Sequence, residues 1–139
     1  MASLLVNIDV SDLKKATQFY VNAFSLKIGR RFGDDAIELL GLESPIYLLE
    51  KPAGSKPFVD AKSTRNYDRH WCPVHLDIVV ASIEAAVDSA TQAGASIENP
   101  VATKKWGKIA VLSDPFGNGF CLIEFTGRGY DEVATCQPE

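Results

Sequence analysis

The chain is short of cysteine, histidine and basic clusters. Its three cysteines in 139 residues include no Cys-x-x-Cys pair, which excludes a disulfide scaffold and a structural zinc site of that type. They are expected as reduced thiols, which implies a cytoplasmic protein. No apolar run approaches the roughly 20 residues of a membrane-spanning helix. Met1 to Val10 carries no basic segment and no small-residue cleavage site, so no secretory signal is expected. The net charge is −4, and the short basic pairs Arg30-Arg31 and Lys104-Lys105 read as solvated edges. Nucleic acid and anionic membrane are therefore excluded as expected partners.

What is present suits a single domain spanning 1–139. Hydrophobic residues make up 46% and charged residues 23%, the balance of an ordinary globular domain. At this length roughly two-thirds of the unfolded surface can be buried without metal or disulfide staples.

The organising feature is an internal repeat. Val6-Asn7-Ile8-Asp9-Val10 alternates apolar and polar residues as a half-buried strand does. Ser11 is the expected helix N-cap, with Asp12 helping the entry through the helix dipole. Leu13, Ala16, Tyr20, Ala23 and Phe24 then recur at helical spacing. The pattern returns with Leu76 to Val80, the N-cap Ser82, and a stripe of Ile83, Ala86, Val87, Ala90 and Ala93 closed by Gly94. Val10 aligns with Val80, Ser11-Asp12 with Ala81-Ser82, and Leu13 with Ile83. Three strand-like runs follow each helix: Lys27–Phe32, Ala36–Leu40 and Ile46–Lys51, then Ser96–Pro100, Lys108–Ser113 and Phe120–Phe125. Asp114-Pro115-Phe116-Gly117-Asn118-Gly119 is the strongest hairpin turn.

Each half thus reads βαβββ. Module one spans about 4–52 and module two about 74–127. A polar connector, about 53–73, carries Arg65, Tyr67, Arg69, His70 and Trp71, and a polar tail, 128–139, is expected to be loosely ordered or to lie along a partner. The fold class is α+β: two βαβββ modules forming a curved eight-stranded mixed sheet with a central cleft. One helix covers only one face of each four-stranded sheet, so the other face is where function is expected.

The run Val10-Ser11-Asp12-Leu13 with Phe19-Tyr20, its echo from His75 to Ile83, and the turn Asp114 to Asn118 resemble the vicinal oxygen chelate superfamily. That superfamily includes glyoxalase I, extradiol dioxygenases, fosfomycin resistance enzymes and bleomycin resistance proteins. The resemblance covers Leu4 to about Gly127. It implies metal-ligand positions on the first and last strand of each module, which here fall on Leu5, Tyr47, His75 and Cys121. Only His75 is a ligand type that the family prefers. Leucine supplies no donor and neutral tyrosine a poor one, so no metal cofactor is expected. If a divalent metal binds, its companions to His75 are Glu50 and Glu124. Strand alternation, however, points Glu124 away from Cys121 and Ile123.

The same alternation names a ligand-binding cleft: Leu5, Asn7 and Asp9; Tyr47 and Leu49; His75 and Asp77; Cys121, Ile123 and Phe125. Trp71 and Trp106 in the connecting loops either cover the mouth or plug the module seam. His75 is either a structural histidine or a contact to ligand. Asp9 and Asp77 either pair with Arg30, Arg31 or Lys108 or face the ligand. Cys121 is expected as a small core residue and not as a nucleophile. The expected function is metal-free binding of an apolar or cationic small molecule, as in bleomycin resistance proteins. The alternative is a divergent divalent-metal-dependent lyase or dioxygenase. The resemblance also implies a homodimer.

Overall fold

The computed structural model describes residues 1–136 and 138–139. Module one runs β1 (Val6–Val10), α1 (Leu13–Phe24), β2 (Lys27–Phe32), β3 (Ala36–Leu40) and β4 (Ile46–Glu50). Module two runs β5 (Leu76–Val79), α2 (Ile83–Ala93), β6 (Ser96–Lys104), β7 (Gly107–Ser113) and β8 (Gly119–Phe125). The sheet orders are β1-β4-β3-β2 and β5-β8-β7-β6. In each, the first strand pairs in parallel with the last, and the remaining neighbours are antiparallel. The repeat read from the sequence is therefore a repeat in topology.

Two details of the individual elements differ from the sequence reading. The N-cap of α1 is Asp12, whose carboxylate accepts from the Lys15 backbone N–H, and not Ser11. Ser82 caps α2 through the Ala85 N–H, and the repeat alignment already paired Ser82 with Asp12. A carboxylate also gains more than a hydroxyl from the positive helix end. Strand β6 is longer than expected, reaching Lys104, because it continues past Pro100 as the outer edge of its sheet. An edge tolerates proline, since one side of the strand needs no backbone donor. Gly94 closes α2 at φ 121, where a side chain would be strained.

The eight strands form two four-stranded sheets and not one continuous sheet, because β1 and β5 do not hydrogen-bond to each other. The halves share their helix sides. Helix α1 packs on α2, and a single apolar core runs from Ile37, Leu39, Ile46 and Leu48 through Phe19 and Ile83 to Ala110, Leu112 and Leu122. Phe24 of α1 meets Phe120 of β8 edge-on at 5.3 Å.

The turn before β8 bolts this joint. Buried Asp114 accepts from the Phe116 and Asn118 backbone N–H groups, from the Asn118 side chain and from the Tyr20 hydroxyl of α1. Burial, and then the Asp114 charge, push the Tyr20 phenol well above its ordinary range, so it donates at every relevant pH. The tail is not loose near its start. A 3₁₀ turn at Gly129–Glu132 sets Tyr130 against Trp106 and Phe125, with ring centroids 5.2 and 4.7 Å away.

Candidate functional site

Strand register fixes which side chains share the helix-free faces. Across module one, Asn7, Tyr47 and Glu38 are lateral neighbours, as are Asp9 and Leu49. Across module two, Asp77, Cys121 and Val111 align, and so do Val79, Ile123 and Ile109. The faces named from alternation are thus the faces the strands present. Their partners Val10, Ile78, Phe120 and Leu122 lie in the common core.

On module one the face is a closed polar network. Glu38 is buried to 5% exposure. Its carboxylate accepts from the Arg30 backbone, from the Arg30 guanidinium at 2.5–3.2 Å and from the Tyr47 hydroxyl at 2.8 Å. Arg30 hydrogen bonds hold Glu38 down to about 2, and the same carboxylate raises the Tyr47 phenol. A Cβ on Gly29 would stand 2.6 Å from Glu38 Oε1, so the network needs glycine there. Phe32 lies under the Arg30 guanidinium, 5.6 Å from ring centre to Cζ.

On module two the matching face gathers free donors. His75 Nε2 lies 3.2 Å from Asp77 Oδ1. A nitrogen of His75, an oxygen of Asp77 and the sulfur of Cys121 all lie within 4.8 Å of one another, and this is the one such group among the described residues. Burial, then the Asp77 charge and a hydrogen bond to it, push the Cys121 thiol up to about 11. Cys121 is buried and stays a thiol at neutral pH. That fits the reading that it is no nucleophile.

Glu50 and Glu124 are not part of this group. Glu50 Oε2 accepts from the Leu13 N–H at 2.7 Å, and Glu124 Oε2 from the Ile83 N–H at 2.8 Å. Each carboxylate satisfies the first free N–H of its module's helix and sits at the positive helix end. Alternation had pointed Glu124 to that side, and the residue missed as a donor beside His75 was Asp77. Its position two residues after His75 on one strand was the available signal.

The expected cleft set divides in space. Leu5, Asn7, Asp9 and His75 line a cavity of about 1100 Å³ at the seam between β1 and β5, under the connector segment 63–70. Its floor includes the helix-side residues Tyr20, Phe24 and Phe120. Tyr47, Leu49, Asp77, Cys121, Ile123, Phe125, Trp71 and Trp106 are not in its lining. Trp71 is 80% exposed, and Trp106 packs on Phe125 at 6.1 Å. The aspartates do not use the expected partners. Asp9 pairs with Arg65 of the connector at 2.7 Å, while Arg30 pairs with Glu38 and Lys108 with Glu84. Arg65 also donates to Ser55 and to the Lys56 carbonyl, so this pair ties the connector down over β1.

A duplicated βαβββ chain with donor positions on the first and last strands defines the vicinal oxygen chelate class. A family model for the glyoxalase-like domain matches residues 5–123, and the chain belongs to that family. No curated protein matches in sequence. Among solved structures it is similar to FosX, the genomically encoded fosfomycin resistance protein from Listeria monocytogenes. That match has 16% identity and a TM-score of 0.71, covering 96% of this chain and 98% of that one. A FosX variant complexed with Mn(II) and a dihydroxypropylphosphonic acid matches at 18% identity and TM-score 0.65, over 93% and 91% of the two chains. The hypothetical protein SA1046 from S. aureus matches at 20% and 0.66, over 89% and 97%. Among the described residues no helix is long and apolar enough to cross a membrane.

At the four positions where the resemblance implies metal ligands, this chain holds Leu5, Tyr47, His75 and Cys121. Module one offers no charged donor there, and its one hydroxyl is spent on Glu38. The residues present do not fit a cation shared between the modules.

Proposed function

We propose that this protein binds an apolar small molecule in the seam cavity, with no cation joining the two modules there. The cavity of about 1100 Å³ carries the reading. It is slightly larger than the usual ligand site, which runs about 300–1,000 Å³ and pairs apolar walls with a few polar groups. Leu5, Ile8 and Phe24 supply apolar wall, and Asn7, His70 and His75 supply polar contacts. Of the two acidic groups that favoured a cationic ligand, Asp9 is taken up by Arg65 and Asp77 lies outside the cavity. That narrows the ligand to an apolar one.

The test uses 8-anilinonaphthalene-1-sulfonate as probe, together with a thermal-shift screen of apolar compounds. The native protein should enhance probe fluorescence, and hits should raise the melting temperature, since a ligand of the folded state stabilises it. Leu5→Trp, which adds bulk at the exposed mouth, should weaken both signals. Unchanged signals in that variant would sink the cavity reading. We also infer a cytoplasmic homodimer. The unpaired edges of β1 and β5 are surfaces that proteins normally cover, and light scattering that gives a monomer would refute the dimer.

A second reading is a divalent-metal-dependent lyase or dioxygenase, which the donor group on module two favours. A bound cation would polarise an oxygen of the ligand. His75, which also lines the cavity, would connect the two sites. Metal analysis of purified protein separates the readings.

A further inference from the structure

The seam between the modules is bordered by two strand edges that the fold leaves unpaired. In β1 the even-numbered residues bond to β4: the Val6 N–H donates to the Pro45 carbonyl, and the Val10 carbonyl accepts from the Lys51 N–H. The parity is the same in β5, where Val80, just past the strand, donates to the Ile123 carbonyl. In a parallel pair the alternate residues turn their backbone groups to the opposite side. The N–H and C=O groups of Asn7, Asp9, Asp77 and Val79 therefore point away from β4 and β8, and among the described residues no other strand takes them. Nearly all Cα atoms of β1 lie more than 8 Å from those of β5, whereas paired strands stand about 4.7–4.9 Å apart. A strand inserted between the edges needs two such spacings, about 9.5 Å. Below the gap lie the rings of Tyr20, Phe24 and Phe120.

We propose that the seam takes an extended apolar oligopeptide as an added strand between β1 and β5. The proposal rests on the cavity reading and names its ligand class. In strand addition, main-chain hydrogen bonds supply affinity and pockets for alternate side chains supply selectivity. Every second side chain of the guest points to one side, where Phe24 and Phe120 favour a large apolar or aromatic group. The connector segment 63–70 lies over the seam. That suits a free peptide of about four residues, the length of β5, and not a strand embedded in another folded protein.

The probe is acetyl-Val-Phe-Val-Phe-Lys-amide, whose lysine keeps it soluble. It is titrated into the full chain, with amide hydrogen exchange followed by NMR. In the free protein the Asn7, Asp9, Asp77 and Val79 amides should exchange as unbonded amides do, and bound peptide should slow them by at least about tenfold. The matching depsipeptide, with esters in place of the amides, keeps the side chains and removes the donors. It should bind at least about tenfold more weakly, the loss of about two hydrogen bonds. Asn7→Pro deletes one seam-facing N–H, a change that an edge strand tolerates, and should weaken peptide binding at least about threefold. Equal affinity for peptide and depsipeptide, or no binding of the peptide, overturns the proposal. Protection of the four amides already in the free protein also overturns it and marks a partner copy as the occupant of these edges. If Asn7→Pro fails to fold by circular dichroism, the depsipeptide and the exchange data decide. Dye binding is scored on the same samples: dye without peptide sinks the added strand alone, whereas neither sinks the cavity reading as well.

Discussion

The two modules share a plan and differ on the face that the plan leaves bare. Where module one has Leu5, Asn7 and Tyr47, module two has His75, Asp77 and Cys121 at the same register positions. Where module one has Glu38, module two has Val111. The helix sides diverged far less: Glu50 and Glu124 bond to the first N–H of their helices at nearly the same distance. The helix side must close one common core, so its residues answer to packing and capping. The other face is less constrained by that core, and there one half has locked its polar groups together while the other leaves His75 and Asp77 exposed beside a buried Cys121.

The largest break in the symmetry is Asp114. The turn of module one between β3 and β4 carries only Glu43, which is exposed, whereas Asp114 holds four donors and joins the modules through Tyr20. Asp114→Ala should cost about 3 kcal/mol or more, because it leaves buried donors without acceptors at about 1–3 kcal/mol each. Tyr20→Phe should cost about 1–2 kcal/mol through the same bond. Urea unfolding measures both; an Asp114→Ala loss under about 1 kcal/mol would mean that the turn does not bolt the joint.

Next in size is Gly29→Ala. The new Cβ must push a buried carboxylate aside, and such overpacking costs about 1–3 kcal/mol. Below it come the matched caps. Glu50→Ala and Glu124→Ala should each lose about 0.5–2 kcal/mol, the range for removing a helix cap. The sharper expectation is their equality. A loss confined to one of them would show that the repeat in topology is not a repeat in energetics.

Much of the scaffold was legible because periodicity records it. The eight strands and two helices were all read from the sequence, and the pairing of Asp12 with Ser82 was implicit in the repeat alignment. The faces of the strands were legible for the same reason. What the one-dimensional pattern could not supply was lateral register. That Asp77 stands beside Cys121, or that Arg30 folds over Glu38, depends on strand pairing set by long-range contacts and a bulge in β2. The split of the cleft had the same origin: spacing says which face a residue takes, not how two sheets sit when their helices share a core.

The smallest effect isolates the locked network itself. Glu38 titrates at about 2 in the folded chain against an ordinary value of 4.5, chiefly through its hydrogen bonds with Arg30. A depressed carboxylate stabilises the fold above its unfolded pKa, and that contribution fades as pH falls through the folded one. Glu38→Gln removes the contribution. The variant should therefore be less stable than the parent by a constant margin above about pH 5. The margin should shrink between 4.5 and about 2 and vanish below. Arg30 is largely exposed, so solvent screens the pair and keeps the margin small. Denaturation series at stepped pH read it directly. A margin that stayed flat into acid would show that the carboxylate's charge contributes nothing on this face, and that module one differs from module two in shape alone.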